Sequence, residues 1–266
     1  MKSGNMKFWS FTLLMFFCFN ISWGQEIAEK KTQAGLTGTF GLNLLKMGTT
    51  NMNRNGVGTD LGVGVILHSA FKSSKNLGLA YGLEFEFGSF KFESAQSTYY
   101  KFEDKNILTF DESNDSSKVF QLLERTQKPV YVTIPLMFLF RTDFIGDFRY
   151  FGKFGIRNSF LVSNKMNDSG IDMNSKSTVE FSNMRSPGET FFYNASVGLT
   201  AGAEWNFIGS TSLVGELGYF YGITPLFLNR RLDNKSMYFI EDNGTKSYFS
   251  NNASLNQILL KISILF

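Results

Sequence analysis

Eight charged side chains are the first residues to read for chemistry: Glu84, Glu86, Glu204 and Glu216, with Arg149, Lys153, Arg157 and Lys261. Glu84 and Glu86 stand two apart, which in an extended chain puts both carboxyls on one face, the placement that paired general acid and base work requires. The four bases that accompany the four acids favour ion pairing over catalysis as the use of this set. His68 is the single histidine, so a multi-histidine metal site is excluded within one chain, and any histidine base would have to be this one. Cys18, the single cysteine, falls in the amino-terminal apolar segment, so the chain beyond it has no disulfide, thiolate metal site or cysteine nucleophile. The acidic run Asp111-Glu112-Ser113-Asn114-Asp115 lacks the spacing and the glycine of an EF-hand calcium loop and reads as a solvated loop. The glycines at 56, 58, 62 and 64 spell no phosphate-binding motif. No cofactor and no metal are expected.

The elements that must position these charges are strands. From Tyr193 the odd positions read Tyr193, Ala195, Val197, Leu199, Ala201, Ala203, Trp205 and Phe207, against a polar or small even face that carries Glu204. After Ile208-Gly209-Ser210-Thr211 the return arm puts Leu213, Leu217, Tyr219, Tyr221 and Ile223 on one face and Glu216, Gly218 and Gly222 on the other. A period of two means strand. Each arm exceeds the five or six residues usual in a globular strand and approaches the roughly nine to eleven that cross a bilayer at a tilt.

Residues 1–24 have Lys2 and Lys7, then the apolar run Phe8 to Ile21, then Ser22-Trp23-Gly24. Small residues three and one before a break fit a secretory signal peptide cut after Gly24. The run falls short of the ~20 residues of a membrane helix, and the bulky Phe16 and Phe17 before Cys18 argue against lipoprotein processing. Cleavage there leaves 24 basic and 23 acidic residues, a net charge of +1 that points to no nucleic acid. No later apolar run is long enough for a spanning helix: the best, Val130 to Phe140, contains Pro135. A membrane-embedded mature chain would therefore cross as strands.

Residues 25–33 read as a short periplasmic lead. Alternation then recurs over about Ala34 to Met47, Thr59 to Phe71, Leu77 to Gly88, Val130 to Arg141, Phe148 to Val162, the two arms just described, and a last strand ending at Phe266. These are eight strands in one domain, residues 34–266, joined alternately by short turns and long connections. The longest connections are about 89–128, 163–189 and 226–253, of which Tyr99 to Phe102 and Ile107 to Phe110 could prolong the strands as a hairpin. Short turns on one side and long loops on the other predict an all-β, eight-stranded, antiparallel up-and-down transmembrane barrel, with long extracellular loops and short periplasmic turns.

Every one of the eight charges falls opposite the large apolar face. A Lys or Arg facing lipid at the midplane costs ~2 to 4 kcal/mol, so a membrane barrel should hold them in its lumen as oppositely charged pairs. An eight-stranded interior is about wide enough for side chains to fill, which predicts a plugged lumen rather than an open pore. His68 faces inward near a periplasmic turn, the wrong end for a hydrolase site at the extracellular rim. A soluble barrel with its apolar face inside satisfies the same alternation. Aromatic residues near strand ends (Tyr150, Tyr193, Trp205, Phe207, Tyr219, Tyr221), the loop asymmetry and the terminal Phe266 favour the membrane.

The stretch Tyr131-Val132-Thr133-Ile134-Pro135-Leu136-Met137-Phe138 resembles the tyrosine and isoleucine-proline-leucine strand of PorT-like outer-membrane β-barrel proteins of Bacteroidota. Phe151-Gly152-Lys153-Phe154-Gly155, Val197-Gly198-Leu199 with Gly202 and Glu204, Glu216-Leu217-Gly218-Tyr219 and the final strand continue the resemblance over the mature chain; the basic residue after the isoleucine-proline-leucine stretch is delayed to Arg141. The resemblance implies a barrel of the porin family, seated in outer-membrane lipid and inserted by the barrel-assembly machinery, with Phe266 in the insertion signal. It also implies protein secretion of the type IX kind as one role. The expected function is thus non-enzymatic contact with envelope or secretion-system proteins. The alternatives are a small porin-like or ligand-binding barrel and, behind it, an outer-membrane hydrolase.

Overall fold

The computed structural model describes residues 31–101, 119–185, 190–227, 237–249 and 251–266. The expected signal peptide, most of the lead, the Ile107 to Phe110 piece and the Asp111 to Asp115 run lie outside the described residues. Twelve strands are described. They are β1 (Thr32–Met47), β2 (Met52–Arg54), β3 (Gly58–Phe71), β4 (Ser74–Lys101), β5 (Val119–Arg141) and β6 (Phe148–Asp172). The rest are β7 (Thr178–Met184), β8 (Tyr193–Ile208), β9 (Thr211–Gly222), β10 (Tyr238–Ile240), β11 (Lys246–Tyr248) and β12 (Ala253–Leu265).

Eight of them close a ring in the order β1, β3, β4, β5, β6, β8, β9, β12 and back to β1, every neighbour antiparallel. The closing pair joins the chain ends: Gly35 of β1 faces Leu265 of β12, and Phe266 N–H donates to the Ala34 carbonyl at 2.8 Å. Outside the ring lie the large apolar side chains, with Leu199 at 66% exposure and Leu217 at 59%, whereas Glu84 and Arg157 inside are each 1% exposed. A soluble barrel would have these faces exchanged. Outward apolar positions on β5 run from Phe140 to Val130, ten residues, which at ~3.4 Å each and a tilt near 40° is a belt about 25 Å tall. A closed ring with that exterior leaves no open sheet edge to the bilayer.

The periplasmic turns are tight. Ile208 pairs with Thr211 across Gly209, whose φ of +57° suits a residue without a side chain, and Gly146 at φ +63° does the same between β5 and β6. Proline sits inside β5 at two places, and both coincide with a gap in the β4–β5 ladder. Pairing passes from Tyr81↔Leu136 to Glu84↔Thr133 around Pro135, and from Phe87↔Val130 to Phe90↔Gln127 around Pro129, in unbroken register. A residue without an N–H cannot complete the ladder there.

Of the connections expected as loops, the described residues of 89–128 and 163–189 are in large part strand, which corrects that reading, while those of 226–253 hold only the short β10 and β11 before β12 begins. Strands β4, β5 and β6 continue beyond the belt, and β11, β10, β4, β5, β6 and β7 form an antiparallel sheet standing above it. The period of two is broken where this sheet leaves the barrel. Register shifts fall between Val130 and Tyr131 and between Leu122 and Glu124 in the β5–β6 pairing, so the inward face of β6 moves from odd positions such as Arg157 to even ones such as Met166 and Asp168. Bulges re-aim side chains in this way. The lead also gives way two residues early, since β1 starts at Thr32.

Candidate functional site

The lumen is filled in layers, each supplied by alternate residues of neighbouring strands. At the periplasmic end Arg149 and Glu204, cross-strand partners on β6 and β8, pair at 2.5 Å. Gln33 of β1 donates to Glu204 at 3.2 Å, and its carbonyl accepts from Arg149 and Arg141, each at 3.3 Å. Arg149 also lies 4.6 Å over the Phe144 ring, a cation–π contact of the common guanidinium kind.

An apolar layer follows, made by Ile66, Ala80, Met137, Leu139, Phe151 and Leu259 with their neighbours. His68 belongs to it. The imidazole is 2% exposed and edge-on to Phe151 at 6.4 Å, and neither ring nitrogen has a hydrogen-bond partner among the described residues. A base without a proton partner, at the periplasmic end, cannot serve a reaction at the extracellular rim.

The central layer carries most of the charge. Lys153 Nζ meets Glu216 at 2.5 Å, Lys261 Nζ meets Glu84 at 2.5 Å, and Arg157 Nη2 bridges Glu84 at 3.1 Å and Glu86. Thr133 donates to the other oxygen of Glu86 at 2.6 Å, and Arg157 Nη1 donates to Gln257 at 3.2 Å. Gln257 in turn donates to Asn43 at 3.1 Å and Asp60 at 3.3 Å, so that the chain from Thr133 through Glu86 and Arg157 ties six strands together. All eight charged residues singled out from the sequence are buried here or in the periplasmic layer, and each has a partner of opposite sign. With Arg157 shared between them, Glu84 and Glu86 form no catalytic dyad: a carboxylate locked to a guanidinium is a poor proton acceptor. A cavity of about 10 Å³ lined by Glu84, Lys153, Arg157, Glu216 and Lys261 has room for about one water.

Above the belt the interior turns apolar again. Phe90, Phe92, Tyr100, Leu122, Phe227 and a group of methionines, Met52, Met166, Met184 and Met237, pack into one cluster, closed by Phe227 edge-on to Phe90 at 6.3 Å and to Phe92 at 5.7 Å. In this cap lies an ion pair that the alternation did not show. Arg125 of β5 grips Asp168 of β6 through two bonds of 2.8 and 2.7 Å, both side chains fully buried, with Tyr100 5.5 Å from the guanidinium. Asn43, Asp60 and Gln257 fall on the polar parity of strands read from the sequence, whereas Gln33 lay in the stretch read as a lead and enters the lumen because β1 starts at Thr32. Arg125 keeps the inward parity of Thr133 and Gln127 but fell in a stretch read as a loop, and Asp168 was hidden because the bulge after Leu161 moves the inward face of β6 to even positions.

Among the described residues no group of three or more His, Cys, Asp or Glu could hold a metal ion. What the geometry makes is a salt-bridged plug beneath an apolar cap.

The model of the outer membrane protein β-barrel domain matches residues 23–228. The chain belongs to that family. Its place is accordingly the outer membrane. Neisserial surface protein A is 7% identical, with 89% of this chain and 96% of that one covered and a TM-score of 0.35. Ail, the attachment invasion locus protein of Yersinia pestis, is 12% identical over 89% of this chain and 100% of that one, TM-score 0.32. A major outer membrane protein from Thermus thermophilus is 16% identical over 88% and 99%, TM-score 0.34. No curated protein matches this barrel by sequence.

Proposed function

We propose that this outer-membrane barrel is non-enzymatic and works by contact, anchoring or engaging other envelope proteins through its extracellular sheet and periplasmic turns. One observation carries the reading: the lumen is occupied by paired charges and by the apolar cap, so the surfaces left to act are the outer ones. The PorT-like resemblance around Tyr131 to Phe138 supports membership of a protein secretion apparatus of the type IX kind. It likewise supports a signal peptide removed near Gly24 and insertion by the barrel-assembly machinery reading the final strand through Phe266.

The test is purification of a tagged copy from native outer membrane in mild detergent, with mass spectrometry of what accompanies it. Stoichiometric envelope proteins are the expected result. A barrel that emerges alone, and that conducts well above background in a planar bilayer, would overturn both the contact role and the plugged lumen in favour of a small porin.

A further inference from the structure

Three cations stand in one row on the outside of the barrel. Lys128 of β5 is the cross-strand partner of Lys165 of β6. Met166 faces Met184 of β7 with both side chains inward, so the same register sets Arg185, the next residue, beside Lys165 with its side chain outward. All three are exposed, and none makes an ion pair with a described residue. Like charges directly opposite one another on neighbouring strands destabilise a sheet. Lys91, on the adjoining strand, shows the contrast: Glu124 neutralises it at 3.1 Å.

The position of the row matters as much as its sign. The outward apolar series on β5 ends at Val130, and Lys128 is the next outward residue; on β6 Phe160 and Val162, at 40% and 63% exposure, lie just below Lys165. The cations therefore sit where the belt of about 25 Å gives way to headgroups. Long basic side chains there lay their methylene stems on apolar surface and hold the charge at the interface. Tyr193, stacked at a tilt on Phe160 at 5.4 Å, adds an aromatic of the kind found at that depth.

We infer that Lys128, Lys165 and Arg185 form a binding site for the phosphorylated headgroup of an outer-leaflet lipid. A phosphate group offers several anionic oxygens to neighbouring cations, and a lipid carries it at the height at which the row stands. The site lies on the outer wall, apart from the plug, and the inference does not depend on which protein partner the barrel has.

The test retains the whole folded barrel in neutral detergent and uses native mass spectrometry to follow diphosphorylated lipid A, the same lipid dephosphorylated, and inorganic phosphate. Wild-type protein should keep the diphosphorylated lipid and not the dephosphorylated one, with retention falling as salt rises. A variant with Lys128→Gln, Lys165→Gln and Arg185→Gln should bind it roughly a hundredfold more weakly, while Lys46→Gln, at the top of β1 elsewhere on the rim, should bind as wild type. Equal retention of both lipids by the wild-type barrel would overturn the site without recourse to a variant. So would undiminished binding by the triple variant, which would leave the row to an acidic protein segment. Inorganic phosphate held as tightly as the lipid would overturn the lipid assignment.

Discussion

Arg125 and Asp168 meet above the membrane through two hydrogen bonds of 2.8 and 2.7 Å, and neither side chain reaches solvent. Their strands are joined to the barrel below by bulged segments, so this pair holds the cap in register where alternation no longer does. Replacing Asp168 by Leu leaves a buried guanidinium without its carboxylate, at a cost of roughly 3 to 5 kcal/mol. The loss should be local: amide exchange should accelerate around Leu122 and Gly170 while the central barrel amides keep their protection.

Lys153 and Glu216 make the cleanest test of the lumen pairing. Lys153→Met alone strands a buried carboxylate and should cost roughly 3 to 5 kcal/mol, whereas Lys153→Met with Glu216→Leu should recover most of the loss. The readout is the temperature at which the barrel loses its compact, heat-modifiable mobility in electrophoresis. A double variant as weak as the single would mean that the pair is not energetically coupled.

Leu199 is 66% exposed on the outward face of β8. Leu199→Arg should cost about 2 to 4 kcal/mol if that face meets the hydrocarbon, and assembly into the outer membrane should fall accordingly. Leu123→Arg, at a half-exposed position above the belt, should assemble normally. Equal assembly of both variants would contradict the belt.

On the periplasmic side Lys75, at the start of β4, and Asp143, in the turn between β5 and β6, pair at 3.3 Å. Hydrogen bonds from Lys75 and Asn76, with the Lys75 charge, hold the Asp143 carboxyl below its ordinary range. An acid so lowered contributes its stabilisation above the unfolded value and loses it as pH falls through the folded one. The pair is exposed and screened by salt. Carbon NMR of Asp143 should therefore show a midpoint below that of a free aspartate, moving toward it in Lys75→Ala.

The belt was legible because each of its positions obeys one local rule. Leu61, Val63 and Val65 alternate with Gly62 and Gly64 as surely in the sequence as around the barrel wall, where the first set faces out. The inward placement of Glu84, Arg157 and Lys261 followed from the same parity. Their partners did not. Glu84 bonds Lys261 from a strand 177 residues away and Arg157 from one 73 away, and nothing in local sequence states which of the four bases comes within reach of which acid.

Alternation by itself determined that this chain makes long strands with one apolar and one polar face, and how many cross, because a strand's side chains point to opposite sides whatever it pairs with. Alternation does not decide which face is outside, since closing the ring either way satisfies the pattern; the loop asymmetry and aromatic strand ends pointed to an apolar exterior, and the closed ring has it. Tertiary structure alone decided the cap: once bulges near Tyr131 and Leu122 shift the register, the inward face depends on the neighbouring strand rather than on position in the chain. Asp168 came to face Arg125 by that shift, and Lys128, Lys165 and Arg185 came into one row by the pairing of three strands.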